Sequence, residues 1–259
     1  PAWTLDTKKM LRLSIPVAMG AAVLQVSVLL DKGISFSLMQ GKDEHNQLVT
    51  HFQFLGRSIA YPMEEGATRH LDLAQLMYQF PLGIFAIAIA TAIYPTLSAS
   101  AVSEDRTQFR QATRQGVLAT LWEGIPASIG LMLVAEPAVR LLFQHGLTTS
   151  HDTGLIARDT MVYAGGIWAY SMLQVINRAY YALHDTMIAS GVNILVNLAV
   201  EIPLLWWLGE PAIATGTVVS FAIQAIAMLW LLDRRVGGMR LRELARPAIK
   251  IGLATLVMA

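Results

Sequence analysis

Long stretches of this chain contain no charged side chain, and this feature constrains its fold more than any other. Four such runs reach the roughly 18 residues that a helix needs to cross a bilayer: 13–30, 73–103, 160–177 and 211–232. Two further runs carry a single acid each, Glu123 within 115–135 and Glu201 within 186–209. The sequence therefore predicts several membrane-spanning segments.

Helices are the expected form of these segments, because a spanning segment must satisfy its backbone hydrogen bonds internally and the runs lack the period-two alternation of a barrel strand. A soluble helical core would need polar faces at helical spacing, which these runs do not show. Only 14% of the residues are charged, against about 25% in an average soluble domain. We predict an all-α fold, a polytopic membrane helical bundle of about six complete spans and the start of a seventh.

The segments between the runs define the expected organisation. We predict spans at about 10–38, 70–102, 108–135, 156–182, 186–208 and 211–233, and a truncated one at 246–259. Residues 40–69 form a polar insertion, and 234–246 form a basic linker. Within 136–155, Gly146 is expected to stop an apolar half-helix, and the Thr, Ser and Asp residues after it to cap a new one. Since the chain lacks an initiator Met and ends within an apolar run, we expect it to be a piece of a longer protein.

Lysines and arginines divide unequally between the two sides of this predicted bundle. One side collects Lys8, Lys9, Arg12, Arg106, Arg110, Arg114, Arg178, Arg234, Arg235, Arg240, Arg242, Arg246 and Lys250. The other side has Lys42, Arg57, Arg69, Arg140 and Arg158. Because cytoplasmic loops are enriched in Lys and Arg, we predict that the first side is cytoplasmic and that the 40–69 insertion faces outward.

The sequence offers little for catalysis or for metal and cofactor binding. It has no cysteine and no HExxH, GxSxG, P-loop or GxGxxG motif. Its six histidines lie in loops or at span ends without the spacing of metal ligands. The net charge of +1 indicates no nucleic-acid partner. We therefore predict a membrane protein that is not an enzyme and needs no cofactor.

Polar side chains recur inside three predicted spans at spacings of three and four residues, which place them on one helix face. They are Ser27, Asp31 and Ser35, with Gln25 nearby; Tyr163, Tyr170, Gln174, Asn177 and Tyr181; and Ser190, Asn193, Asn197 and Glu201. Two interpretations stay open, hydrogen bonding between packed helices and lining of a polar cavity. For Asp31, a local ion pair with Lys32 is a further alternative.

Prolines within or at the ends of spans predict bent helices, because an interior proline removes one backbone hydrogen bond. The hinge candidates are Pro16, Pro81, Pro126 and Pro203. Bent helices with inward polar faces suit a transporter that opens alternately to either side of a membrane.

Four segments resemble those of a known family. "MYQFPLGIFAIAIATAIYPTLS" (77–98) is similar to its eighth span, "LLFQHGLTTSHDT" (141–153) to an outer segment, and "YYALHDTMIASGVNILVNL" (180–198) to a Tyr-Ala-Leu-x-Asp-Thr signature. "LSIPVAMGAAVLQVSVLLDKGIS" (13–35) is similar to its seventh span. On these motifs the chain resembles the MurJ/MviN family over nearly its whole length, except for the 40–69 insertion.

The resemblance implies a lipid II flippase of the multidrug/oligosaccharidyl-lipid/polysaccharide exporter superfamily. Such a protein moves the undecaprenyl-linked peptidoglycan precursor across the bacterial cytoplasmic (inner) membrane by alternating access around a cationic cavity. This chain would be the second of two lobes, and its partners would be the precursor, membrane lipids and the missing N-terminal lobe. A coupling ion or a role of the membrane potential stays open.

The sequence departs from the family near the start of the span 70–102. The family commonly reads Ala-Asp-Arg-Leu there, and its arginine is thought to meet the substrate pyrophosphate, whereas this chain reads Ala74, Gln75, Leu76, Met77. Arg69 lies seven residues before Leu76, about two helical turns, and so on nearly the same face. We hypothesise that Arg69, together with His70, takes this role. The alternative is that Arg69 only caps the helix end.

The candidate substrate-cavity residues are therefore Arg69, Gln75, Gln79, Gln25, Asp31, Asn193, Asn197 and Glu201. Two other functions stay open. One is export of another lipid-linked oligosaccharide or a drug, for which Glu123 or Glu201 would bind Na⁺ or H⁺. The other is a non-transporting homologue that acts as a cell-wall scaffold, which the missing Asp-Arg pair favours. Sodium or pH dependence of transport would identify the antiporter.

Overall fold

The computed structural model describes residues 29, 32–42, 47–54, 57–103, 106–146, 148–183, 203–205, 207–239 and 242–258. Several residues singled out in the sequence lie outside these ranges: Pro16, Gln25, Asp31, Asn193, Asn197 and Glu201. Most of the predicted spans 10–38 and 186–208 is likewise outside them. The predictions made for these residues stay predictions.

Helices make up most of the described chain. In order they are α1 (Ala67–Pro81), a π-helical segment (Leu82–Ala86), α2 (Ile87–Ala101), α3 (Thr107–Phe143), α4 (Ser150–Ala164), α5 (Ile167–Ala182), α6 (Pro211–Val236) and α7 (Arg242–Met258). Residues 32–37 are also helical. The predicted all-α membrane bundle is confirmed as the fold class.

Two small hairpins lie within the insertion. Strands β1 (Gly41–Lys42) and β2 (Leu48–Val49) pair antiparallel, and so do β3 (His51–Phe54) and β4 (Arg57–Ala60), with His51 opposite Ala60. The sequence analysis predicted no strand here. The sequence feature that indicates a strand here is the alternation of polar and aromatic residues in His-Phe-Gln-Phe, because side chains alternate between the two faces of a strand.

Three of the described helices are long and apolar enough to cross a membrane. They are Ala67–Ala101, which combines α1, the π-helical segment and α2, then Thr107–Phe143 and Pro211–Val236. Large apolar side chains on the outside of the bundle stay exposed, including Trp122 (71%) and Leu141 (82%). A soluble monomer rarely exposes so much apolar surface, so these faces are suited to contact lipid.

The segment 156–182, which the sequence predicted as one span, is divided between α4 and α5 at Gly165 and Gly166. A Cβ on Gly166 would lie 2.8 Å from Val218 Cγ2, so a side chain does not fit here. The break leaves the Trp168 amide outside the regular hydrogen-bond pattern, and it donates to Ser128 Oγ of α3 at 3.3 Å. The break therefore depends on neighbouring helices as well as on the two glycines.

The start of α4 confirms the predicted helix restart, whereas the half-helix expected before Gly146 is the end of the continuous helix α3. Gly146 has a φ of 65°, and Thr149 then caps α4 in a capping box with Asp152. The Thr149 amide donates to Asp152 Oδ2 at 2.8 Å, and the Asp152 amide donates to Thr149 Oγ1 at 3.2 Å. The hydrogen bonds from the Thr149 amide and hydroxyl hold the pKa of Asp152 below its ordinary value.

Replacing Thr149 with alanine is expected to lower the free energy of unfolding by about 1 kcal/mol, since the hydroxyl satisfies a free amide of the first turn. The measurement is the unfolding midpoint of the purified full-length protein in detergent. Thr148→Ala is the matched control, because Thr148 is the neighbouring residue outside the capping box. Equal midpoints for the two variants would contradict the prediction.

Helix α3 is central to the packing and contacts α2, α4, α5 and α7. One apolar core joins α2, α3, α5 and α6 around Phe109, Val117 and Tyr180. A second core joins α1, α4 and the start of α6 around Tyr163 and Ile213. The second core supports the polar residues described below.

The described hinge candidates occupy three different settings. Pro81 ends α1 directly before the π-helical turn at Leu82–Ala86, which fits the loss of a backbone donor at a proline. Pro126 lies inside α3, which continues through it. Pro203 is the first described residue of the helical stretch 203–205. Whether any of them acts as a hinge stays a prediction.

Candidate functional site

A small, open polar cleft lies between the helical residues 32–37 and helices α1, α4 and α6. Its lining consists of Lys32, Ser35, Thr68, Leu71, Asp72, Gln75, Tyr163 and Ile213. Most of these side chains are polar, although the surrounding bundle is apolar. The converging polar groups make this cleft the candidate site of the described residues.

Lys32 and Asp72 join the first helical piece to α1. Lys32 Nζ lies 3.1 Å from Asp72 Oδ1, and the two side chains are 48% and 36% exposed. Beside them, the hydroxyls of Ser35 and Thr68 are 2.8 Å apart and hydrogen bonded. The sequence analysis considered Asp31 as the partner of Lys32, whereas the structure gives Lys32 a partner forty residues away.

Gln75, which stands at the position of the family's aspartate, is directed at α4. Its Nε2 donates to the Tyr163 hydroxyl at 3.3 Å. The Tyr163 ring is 2% exposed and stacks on Tyr78, with ring centroids 5.0 Å apart. Of the sequence candidates on α1, Gln75 is thus the one that lines the cleft.

The other two candidates on α1 lie on its exposed side. Arg69 and Gln79 are exposed, and Leu76 between them is 57% exposed. This geometry leaves the side chain of Arg69 accessible, as the hypothesis for it requires. The structure does not bring Arg69 to the cleft with Gln75.

His70 differs from the prediction that it accompanies Arg69. It is 5% exposed and directed into the bundle, where Nδ1 lies 3.1 Å from Glu210 Oε1 and Nε2 lies 3.5 Å from Asp152 Oδ1. Its position one residue after Arg69 turns it by about 100° around the helix, which brings it to the packed side.

The polar stripe expected along 156–182 is divided by the helix break. Tyr163 belongs to α4 and packs on Tyr78, while Tyr170 of α5 contacts Phe221 edge to face at 4.9 Å. Gln174 accepts a hydrogen bond from Arg178. Tyr163 and Tyr170 thus contact neighbouring helices, whereas the Gln174 bond lies within α5. Because Tyr163 also lines the cleft, both interpretations of the stripe stay open.

Glu123 and Glu201 are the two acids that the sequence offers for binding Na⁺ or H⁺, and of these the structure describes Glu123. It lies in α3 beside Ser171 of α5, and both its carboxyl oxygens are buried without a hydrogen-bond partner among the described residues. Within the same residues, no group of three or more His, Cys, Asp or Glu side chains is arranged to hold a metal ion. A role of Glu123 in coupling stays a prediction.

An apolar helical bundle with a polar cleft between its helices is an architecture found among polytopic membrane transporters. A family profile described as "Lipid II flippase MurJ" matches residues 3–259. The chain belongs to this family, and the resemblance drawn from the motifs is confirmed.

Individual relatives give the same result. The chain is 27% identical to a probable lipid II flippase MurJ of Bdellovibrio bacteriovorus over 255 residues, which are 97% of this chain and 44% of the relative. It is 30% identical to the corresponding protein of Thermotoga maritima over 167 residues, which are 63% of this chain and 34% of the relative. The chain thus spans less than half the length of these curated relatives.

Two solved structures share the fold. A lipid II flippase MurJ in an inward closed conformation aligns with a TM-score of 0.72 and 23% identity, covering 99% of this chain and 48% of that one. A MOP superfamily transporter from Pyrococcus furiosus aligns with a TM-score of 0.65 and 15% identity, covering 95% of this chain and 51% of that one. In both cases the chain corresponds to about half of a transporter.

Proposed function

We propose that this chain forms one lobe of a lipid II flippase that moves the undecaprenyl-linked peptidoglycan precursor across the bacterial cytoplasmic membrane. The observation that carries the proposal is the family match, which extends from residue 3 to residue 259. The coverage of about half of each similar transporter supports the assignment to one of two lobes. The N-terminal lobe would complete the substrate cavity.

The polar cleft supports an alternating-access mechanism for this lobe. Lys32 and Asp72 form a partly exposed ion pair between two helical segments, and such pairs contribute little to stability and can exchange partners. The π-helical turn after Pro81 offers a place where the long helix can bend. The cytoplasmic side would be the one rich in Lys and Arg.

The test is complementation of a strain depleted of its own flippase by the full-length protein. Growth with normal cell-wall synthesis is expected, with an empty vector as the negative control and the strain's own flippase as the positive control. If the protein reaches the membrane and growth fails, the proposal is contradicted. Export of another lipid-linked oligosaccharide or a scaffold role would then be the functions to examine.

Arg69 is proposed to meet the anionic head group of the substrate in place of the family's arginine. Arg69→Gln is expected to lower the flipping rate of labelled precursor in proteoliposomes by about tenfold, since a hydrogen bond to a charged group contributes about 1.5 kcal/mol or more. Arg69→Lys is expected to retain most of the rate because the charge remains.

The matched control for Arg69 is Arg140→Gln. Arg140 is another exposed arginine predicted on the same side of the membrane, and it pairs with Glu136 within one helix. It is expected to flip at the wild-type rate. A wild-type rate for Arg69→Gln as well would contradict its proposed contact. The alternative role as a helix cap is not supported, because the N-cap of α1 is Gly66 and no side chain caps this helix end.

A further inference from the structure

A cluster of buried ionisable side chains joins α1, α4 and α6 on the packed side of α1. It contains His70, Asp159 and Glu210, which are 5%, 1% and 5% exposed. Asp152, 29% exposed as a side chain, borders the cluster and connects it to the surroundings. Neither the family match nor the proposed flipping mechanism assigns a role to these residues.

Asp159 is the side chain of this cluster whose burial is least compensated by hydrogen bonds. Both of its carboxyl oxygens are buried, and neither has a hydrogen-bond partner among the described residues. Its strongest charged neighbour is the carboxyl group of Glu210. An ionised carboxylate in this position would be unpaired, buried and close to a second carboxylate, which is strongly unfavourable. A proton held by the Asp159 and Glu210 pair removes both costs.

His70 lies between two carboxyl groups. Its Nδ1 is 3.1 Å from Glu210 Oε1, and its Nε2 is 3.5 Å from Asp152 Oδ1. A neutral imidazole has one donor and one acceptor nitrogen, so one nitrogen would then present a lone pair to a carboxylate. The imidazolium form donates at both nitrogens. The arrangement therefore favours a second bound proton, on His70.

The charges around the cluster come from every element packed against it. The segment before α1 contributes Glu64, which is bound to His151 at 3.0 Å. Helix α4 contributes Asp152 and Asp159, together with Arg158, which acts on Asp159 from an exposed position. Helix α6 contributes Glu210 at its N-terminus. Acidic groups outnumber basic ones, so the surroundings favour uptake of a positive charge.

We propose that His70, Asp159 and Glu210 form a proton-binding site. While its protons are bound, this site stabilises the packing of α1, α4 and α6 against one another. The protons would enter from the aqueous phase through Asp152. Loss of the proton shared by Asp159 and Glu210 would leave two adjacent carboxylates in the core. The helices would then be held together less tightly at this site.

The sign of the pH dependence follows from proton binding. The folded site holds a proton that an unfolded Asp159 would release at neutral pH, so the folded state binds more protons than the unfolded state. Stability is therefore expected to be greatest at low pH and to be lost as the pH rises. Each extra bound proton changes the unfolding equilibrium constant by about tenfold per pH unit.

The experiment compares wild-type full-length protein with Asp159→Asn, which cannot ionise. Unfolding equilibrium constants are measured in mixed detergent micelles between about pH 6 and about pH 9, where free carboxyl groups are ionised. The unfolding equilibrium constant is expected to rise with pH more steeply for the wild type than for Asp159→Asn. The difference in slope is expected to reach up to about tenfold per pH unit. Glu136→Gln, which removes an exposed carboxylate on α3, is expected to keep the wild-type slope.

An Asp159→Asn protein with the wild-type slope would overturn the proposal. The proposal would also be overturned if Na⁺ stabilised the wild type more than choline did and Asp159→Asn abolished this difference. The site would then bind a metal cation. If Asp159→Asn does not fold, the protonated carboxyl is sought by infrared spectroscopy in a Glu123→Gln background, which removes another buried acid. A carboxylic-acid band that disappears on raising the pH is expected, and its absence at neutral pH would contradict the proposal.

Discussion

Replacing Tyr163 with alanine is expected to lower the free energy of unfolding by about 3 kcal/mol, as for other large aromatic side chains removed from a packed interior. Tyr163 is 2% exposed, stacks on Tyr78 and accepts a hydrogen bond from Gln75. Lipid is as apolar as the ring, so the loss comes from packing and from the cavity left between α1 and α4. The measurement is the unfolding midpoint in detergent.

Tyr163→Phe is the matched control for this prediction. It retains the ring that stacks on Tyr78 and removes only the hydroxyl that accepts from Gln75. A net loss of about 1 kcal/mol is expected, the usual contribution of one hydrogen bond. If alanine and phenylalanine have the same effect, the stacked pair does not hold α1 and α4 together.

Gly124→Ala and Gly130→Ala are expected to have opposite effects, although both glycines lie inside α3. A Cβ at position 124 would be 2.8 Å from the backbone Cα of Trp168, so α3 and α5 would have to separate. Overpacking of this kind costs about 1–3 kcal/mol. A Cβ at position 130 meets nothing within 4 Å, so the helix propensity of alanine should stabilise by about 1 kcal/mol.

The check for the glycine pair is the order of the three unfolding midpoints. Gly130→Ala should unfold last, the wild type next and Gly124→Ala first. Because both substitutions add the same methyl group to the same helix, differences in expression or detergent binding are small between them. A higher midpoint for Gly124→Ala than for wild type would show that α3 and α5 do not pack closely at this point.

The candidate site was only partly predictable from the sequence. Gln75 was identified because it stands where the family carries an aspartate, and the structure places it in the cleft. Asp72 was missed, although it lies on the same helix. No pattern in a single helix indicates that its partner is Lys32, forty residues earlier. The burial of His70 was not predicted, because its packing depends on Glu210, 140 residues away.

Local properties of the sequence determined the membrane class, the family and the start of α4. Hydropathy over some twenty residues, motif order and the Thr149 capping box are each contained in one continuous segment. Only the tertiary structure decided which polar groups meet and where the segment 156–182 breaks. Contacts across helices depend on how each helix is rotated and how closely its neighbours approach, as at Gly166 against Val218. Helical periodicity places side chains on a face, but it does not determine which helix that face meets.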